Sequence, residues 1–158
     1  GLTMAERTLV LIKPDGVQRG LVGHIVDRIE RKGYTLVALQ LRTLDAATAQ
    51  EHYGEHVGKP FFPNLQKFIT SDVVVGMELV ADSAIDKWRS FIGPTNTQKA
   101  KTDAPESLRA LFGTDGTMNA VHGSDSVGSV KRELGFWFDG DSKSKPMKTT
   151  AQIGRAHV

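Results

Sequence analysis

The stretch Asn119-Ala-Val-His122-Gly-Ser-Asp-Ser126 carries the residue types best suited to chemistry in this chain. A short apolar run ends on a histidine, the side chain that titrates nearest physiological pH, whose neutral nitrogen can act as nucleophile or base. Gly123 lets the backbone turn, and Ser124, Asp125 and Ser126 are good N-caps for a helix that follows. Such a junction holds an imidazole at a strand's end, beside helix N–H groups that favour anions. A turn histidine without chemistry has the same local sequence, so the rest of the chain must decide.

Lys13, Arg89, Thr95, Arg109 and Asn119 each fall at an element end, on a helix beside its apolar stripe, or in a loop. If they converge on His122, the result is a polyphosphate pocket with a nucleophile at its base. Phosphoryl transfer asks for that set: positioning, positive charge around the equatorial oxygens, and a metal on the other phosphates. Neither Gly-x₄-Gly-Lys-[Ser/Thr] nor a kinase Gly-rich loop occurs, which points to a covalent route through phosphohistidine. Glu133 sits in the last turn of the final helix, where a carboxylate opposes the helix dipole, a hint of another task. Eleven positions from His122 at ~1.5 Å per residue, it reaches the imidazole only if that helix folds back. His52 and His56, four apart on an expected helix, would share a face; a metal needs a third ligand, and none is near in sequence, so no protein-held metal is expected there.

The elements that must position these residues follow from periodicity. Arg7 to Lys13 reads as a buried strand, stopped by turn chemistry at Pro14-Asp-Gly16. Val22, Ile25, Val26 and Ile29 mark an amphipathic helix closed by Lys32 and Gly33. Tyr34 to Leu41 is a second strand, with Leu36, Ala38 and either Leu39 or Leu41 facing inward. Asp45 caps a helix from Ala46 to about Val57. Phe61 and Phe62 would be core, or one of them a stacking plate at a pocket mouth. A short helix over Leu65 to Thr70 and a third strand, Val73 to Val80, come next. Ser83 and Asp86 would cap a helix burying Ile85, Trp88 and Ile92. Thr95 to Thr102 reads as a polar loop, Asp103 as the cap of a helix ending at Phe112, and Thr114 to Thr117 as a turn into the fourth strand. The final helix would turn Val127, Val130 and Leu134 to one side, with Phe136, Trp137 and Phe138 completing the core. This order predicts an α+β, ferredoxin-like split βαβ fold: four mostly antiparallel strands with helices on one face.

A length of 158 residues suits one domain with a substantial core; hydrophobic content of 39% and charged content of 24% describe an ordinary globular chain. A formal charge of +2 is too small and too dispersed for coating nucleic acid, so no nucleic-acid partner is expected. With no cysteine, disulfides, thiolate zinc sites and cysteine nucleophiles are excluded. No apolar run approaches the ~20 residues of a membrane span, so a cytoplasmic protein without membrane partners is expected. The expected domain covers 5–140, with 1–4 an extension and 141–158, rich in Ser, Lys, Gly and Thr, a flexible tail.

The stretches Ile12-Lys-Pro-Asp-Gly-Val-Gln-Arg-Gly-Leu-Val22, His52-Tyr53, Lys59-Pro-Phe-Phe62 and Asn119 to Ser126 resemble the nucleoside diphosphate kinase family over residues 6 to about 138. The resemblance implies that His122 attacks the terminal phosphate of a nucleoside triphosphate through Nδ1. It then passes the group to a nucleoside diphosphate by a ping-pong route, with Mg²⁺ on the nucleotide. It implies that Ser124 and Glu133 position the imidazole, and that Lys13, Tyr53, Arg89, Thr95 and Arg109 contact phosphates. Lys13 and Asn119 would also contact the sugar, and Phe61 would stack on the base, an interaction tolerant of base identity. A homo-oligomer is implied, a hexamer first, with tetramer or dimer as alternatives. The chain departs from the family pattern at Ser71-Asp-Val73, Thr95-Asn-Thr97, about three extra residues before Pro105, Arg109-Ala-Leu-Phe112 and Gly128. These departures resemble divergent members in multidomain, flagellum-associated proteins, and they motivate an alternative: a catalytically weak scaffold acting through cytoskeletal or axonemal partners.

Overall fold

The two most apolar runs of the chain become its two central strands. In the computed structural model, which describes residues 5–138, Leu9 to Ile12, Val74, Val75, Met77 and Leu79 are all sealed from solvent. They lie in β1 (Ala5–Ile12) and β3 (Val73–Asp82), antiparallel neighbours in a sheet of order β2-β3-β1-β4, with β2 spanning Thr35–Thr43 and β4 only Val121–Gly123. Every pairing is antiparallel. This is the predicted ferredoxin-like α+β architecture. Residues 1–4 and 141–158 lie outside the described residues.

Helices cover both faces of the sheet, not one. Val10 and Ile12 pack with Ile25 and Ile29 of α2 (Val22–Arg31) and Trp88 and Ile92 of α5 (Ala84–Ile92). Leu9 and Leu11 point the other way, toward Ala49 of α3 (Ala46–His52), Ile69 of α4 (Phe62–Ile69) and Val130 and Leu134 of α8 (Val127–Trp137). Unbroken Leu-Val-Leu-Ile, instead of alternation, is the signature of a strand buried on both sides. Gly76 of β3 exists because the Trp137 ring occupies the place of a side chain: a Cβ there would lie 2.3 Å from Cε3.

Several local expectations are corrected. Pro14-Asp-Gly16 begins a short helix, α1 (Pro14–Gln18), with proline in its favoured first turn. Leu39 and Leu41 of β2 are both exposed, at 43% and 61%, and Leu36 and Ala38 are half-buried around a register shift. Among the described residues β2 is an edge strand, with a sheet neighbour on one side only. α3 stops at His52 instead of Val57 because Gly54 follows, and a 3₁₀ turn, Gly54–His56, replaces the last helical turn. His52 and His56 therefore do not share a helix face. α4 starts at Phe62, earlier than expected, since Pro63 suits a first turn. Ser83 makes no cap bond; the Glu6 carboxylate accepts from Ile85 N–H at 2.9 Å in its place. Thr97–Asp103 is a helix (α6), not a loop, capped by the Asn96 side chain accepting from Lys99 N–H at 3.0 Å. Asp103 ends that helix, and Ser107, not Asp103, caps α7 (Leu108–Phe112). Val127, expected inside, is 71% exposed.

Candidate active site

Register decides where His122 looks. It pairs with Leu11, so its side chain shares the sheet face of Leu9 and Leu11, the side on which α3 and α8 pack. Its neighbour Gly123 pairs with Val10 and turns to the other face, where the Trp88 ring fills the space a Cβ would need, 2.1 Å from Cδ1. Trp88 Nε1–H also donates to the His122 carbonyl at 3.2 Å, fixing the strand at the histidine itself. Ser126 then caps α8 through a reciprocal bond pattern with Ser129. The helix folds back beside β1 and brings Glu133 to the imidazole: Nε2 lies 3.2 Å from Glu133 Oε1. Ser124 donates its hydroxyl to the other carboxylate oxygen.

That contact fixes the tautomer. Burial opposes the charge on Glu133, but the bonds from His122 and Ser124 outweigh it and hold its carboxyl below the usual range. An ionised carboxylate only accepts, so Nε2 must carry the proton, and Nδ1 keeps its lone pair. His122 lines a cavity of about 510 Å³, and its side chain is 24% exposed.

The approach to β4 is held under strain. Ala120 has φ +72°, a left-handed conformation costing roughly 1–2 kcal/mol for a residue with a Cβ. The first turn after β1 clamps it: Asp15 Oδ2 accepts from Ala120 N–H at 3.0 Å, and Lys13 N–H donates to the Ala120 carbonyl at 2.8 Å. Lys13 Nζ runs into the cavity wall, donating to Asn119 Oδ1 at 2.9 Å and the Thr117 carbonyl at 2.8 Å. Burial and the charge of Arg109 lower the Lys13 pKa to about 8, against the pull of Asp15 and Asp115. Asn119 in turn donates from Nδ2 to the Thr95 and Gly116 carbonyls, both at 3.1 Å.

Arg109 is buried and braced by the Gly93 and Val121 carbonyls at 2.9 and 3.1 Å; its Nε has no hydrogen-bond partner among the described residues. Burial and the charge of Arg89 push its pKa down. Arg89, Thr95, Tyr53 and Phe61 also line the cavity. The Tyr53 ring lies 5.8 Å from that of His122, and its hydroxyl is without a partner among the described residues. Phe62 is core at 5% exposed, whereas Phe61 stands at the cavity edge at 50%. All ten residues singled out from the sequence are thus brought to one cavity or to its supporting bonds: nine line it, and Ser124 braces Glu133 from behind.

Comparison with known proteins bears on what this cavity does. A family model described as nucleoside diphosphate kinase matches residues 6–142. The nucleoside diphosphate kinase of Mycolicibacterium paratuberculosis is 55% identical over 136 residues, covering 85% of this chain and 98% of its own. The chain belongs to the nucleoside diphosphate kinase family. A Parafrankia enzyme of the same name is 52% identical over 86% of this chain and 97% of its own. Among solved structures, a Halobacterium salinarum nucleoside diphosphate kinase in complex with CDP superposes with TM-score 0.85 at 41% identity. It covers 92% of this chain and 95% of that one.

These relatives, both named nucleoside diphosphate kinase, are matched over nearly their whole length, and the scaffold alternative is not favoured. Of the departures, Ala110 and Leu111 sit on α7 beside Arg109, and Gly128 is on the exposed first turn of α8. Sequence reasoning undervalued three residues. Asp15 looked like a turn former and is the Ala120 clamp. Asp125 looked like a cap and is an exposed carboxylate on the cavity wall. His52, paired on paper with His56, is buried against His122, ring centroids 5.6 Å apart. The His52-Tyr53 dipeptide was the available signal.

Proposed function

We infer that this chain is a nucleoside diphosphate kinase that moves the terminal phosphate of a nucleoside triphosphate to a nucleoside diphosphate through phosphohistidine at His122. The observation carrying this reading is the Nε2–Glu133 contact, which places the neutral ring's proton on Nε2 and leaves Nδ1 its lone pair, in a cavity walled by Lys13, Arg89 and Arg109. Nδ1 attacks the terminal phosphorus; the N–P bond forms as the bond to the bridging oxygen breaks, and the nucleoside diphosphate departs. The imidazole gains positive charge as it attacks, and Glu133, held by Ser124, stabilises it. The acceptor's terminal phosphate oxygen then takes the phosphoryl group, restoring His122. Lys13, Tyr53, Arg89, Thr95 and Arg109 serve the phosphates, Lys13 and Asn119 the sugar, and half-exposed Phe61 offers a face to the base.

Mg²⁺ would ride mainly on the nucleotide, where it neutralises phosphate charge. The exposed carboxylates of Asp125 and Glu55 on the cavity wall are hard oxygen donors suited to that ion. We assign the catalytic unit to residues 5–140 and a cytoplasmic setting, where nucleotides are and where a cysteine-free chain is at home. No helix among the described residues is long and apolar enough to cross a membrane. We propose a homo-oligomer, a hexamer first; the β2 edge, with one sheet neighbour among the described residues and two exposed leucines, supports self-association.

Steady-state kinetics test the reading. Double-reciprocal plots at several fixed donor concentrations should be parallel, with phosphate exchange between ATP and ADP in the absence of a second nucleotide. His122→Ala should lose both by at least about 10³-fold. Intersecting lines, or exchange surviving in His122→Ala, would remove the covalent route.

A further inference from the structure

Behind the nucleophile lies a second imidazole that phosphate transfer leaves without work. His52 is 3% exposed, and neither of its ring nitrogens has a hydrogen-bond partner among the described residues. A buried polar group in that state is costly and asks for an explanation. Its Nε2 lies 3.7 Å from Glu133 Oε1, the same oxygen that stands 3.2 Å from His122 Nε2. One nitrogen from each histidine and one oxygen from Glu133 all lie within 4.8 Å of one another.

We propose that His52, His122 and Glu133 form a binding site for a borderline-soft divalent cation of the zinc type, and that its occupation switches the catalytic histidine off. Zinc bonds of about 2.0–2.2 Å to nitrogen and oxygen imply ligand separations near 3.3 Å in a tetrahedron. The 3.2 and 3.7 Å spacings are close to that, and the third, between the two imidazoles, is within 4.8 Å. Two imidazoles and one carboxylate make a three-ligand site whose fourth position is left for water or a phosphate oxygen. The same donors select against Mg²⁺, which prefers an all-oxygen octahedron, so the nucleotide's own ion does not compete for them.

The inhibitory consequence rests on the reading of His122 Nδ1 as nucleophile. The cation takes the Nε2 lone pair, and the Nε2 proton moves to Nδ1. Net protonation of the ring is unchanged, but Nδ1 no longer has a lone pair with which to attack phosphorus. Glu133 exchanges its bond to the imidazole N–H for a bond to the metal and keeps Ser124 on its other oxygen.

The test uses the full nucleotide-free chain and Zn²⁺ or Co²⁺ alone. Titration against a chromophoric chelator should give one Zn²⁺ per chain, and Co²⁺ should give the intense visible bands of a tetrahedral N/O site. His52→Gln and Glu133→Gln, each checked for a native thermal transition, should weaken Zn²⁺ more than tenfold. Zn²⁺ at that stoichiometry should stop ATP–ADP exchange in wild-type chain supplied with excess Mg²⁺, with chelator restoring it. Absence of a stoichiometric Zn²⁺ site or of tetrahedral Co²⁺ bands in the wild-type chain overturns the proposal, as does unchanged affinity in a folded His52→Gln. Stoichiometric binding without loss of exchange overturns the switch. The binding measurements do not depend on phosphate transfer, so their outcome is separate from that of the proposed function.

Discussion

Lys13 is a cation held almost out of water by Asn119 and Thr117, and that placement makes its charge depend on pH within the working range. Its pKa of about 8 in the folded chain lies below the ordinary 10.5. The folded state therefore binds fewer protons between those values, and this group's contribution to stability rises with pH across that window, by up to about 1.4 kcal/mol per unit. Below pH 8 both states are protonated and the cost of burying the charge is fully present. Function runs the opposite way: kcat/KM should fall above about pH 8 as the nucleotide-free chain loses this cation. kcat should hold, because bound polyphosphate keeps the lysine charged. Lys13→Arg, with a fixed charge, should have a lower plateau and no such limb; a limb that survives in it assigns the titration elsewhere. The places of Lys13 and His122 at strand ends were legible from the junctions they occupy. The place of His52 was not, because it depends on α3 ending at His52 and on the 3₁₀ turn Gly54–His56 that follows, which helical spacing alone does not reveal.

Short elements and tight contacts, more than long periodic ones, carry the site. β4 has three residues, and its path is set by Trp88 on one face and the Ala120 clamp before it. Gly123→Ala would press a methyl into the Trp88 ring; overpacking of this kind costs roughly 1–3 kcal/mol. The displaced indole should also release the His122 carbonyl and lower kcat. Gly128→Ala, with its nearest neighbour 3.9 Å away, should be stabilising by about 0.4–1 kcal/mol with kcat unchanged. Denaturant unfolding and initial rates on both variants check this; equal effects at the two positions would contradict it. α2 was readable because burial imposes a period of 3.6 on it, and β1 and β3, buried on both faces, announced themselves by lack of alternation. α6 was missed because its composition is polar: it is held by the Asn96 cap and by burial of Thr97 and Ala100, which no apolar period announces. The reach of Glu133 to His122 was beyond any periodicity, since it depends on where α8 docks.

At the scale of the whole molecule, the sheet leaves β2 as an edge bearing Leu39 and Leu41, while charges elsewhere are mixed and the net charge is small. An edge strand of this kind invites pairing with a second copy of the chain. Light scattering should therefore give a mass well above the 17.2 kDa of one chain. Leu39→Lys with Leu41→Lys should shift the population toward smaller species without unfolding the monomer, because both side chains are already exposed. A wild-type chain that runs as a monomer at micromolar concentration, or a double variant with unchanged mass, would contradict this use of the edge. Fold class was legible from element order alone, whereas the two-sided covering of the sheet and the assembly depend on packing that no local pattern encodes.

The central claim is that Glu133 holds the Nε2 proton so that Nδ1 of His122 does the chemistry. Brief exposure of the chain to γ-³²P-ATP, followed by alkaline digestion and separation of the phosphohistidine isomers, tests it directly. The label should be acid-labile, confined to His122 and recovered as the Nδ1 isomer. Label on Nε2, on another residue or nowhere would contradict the account.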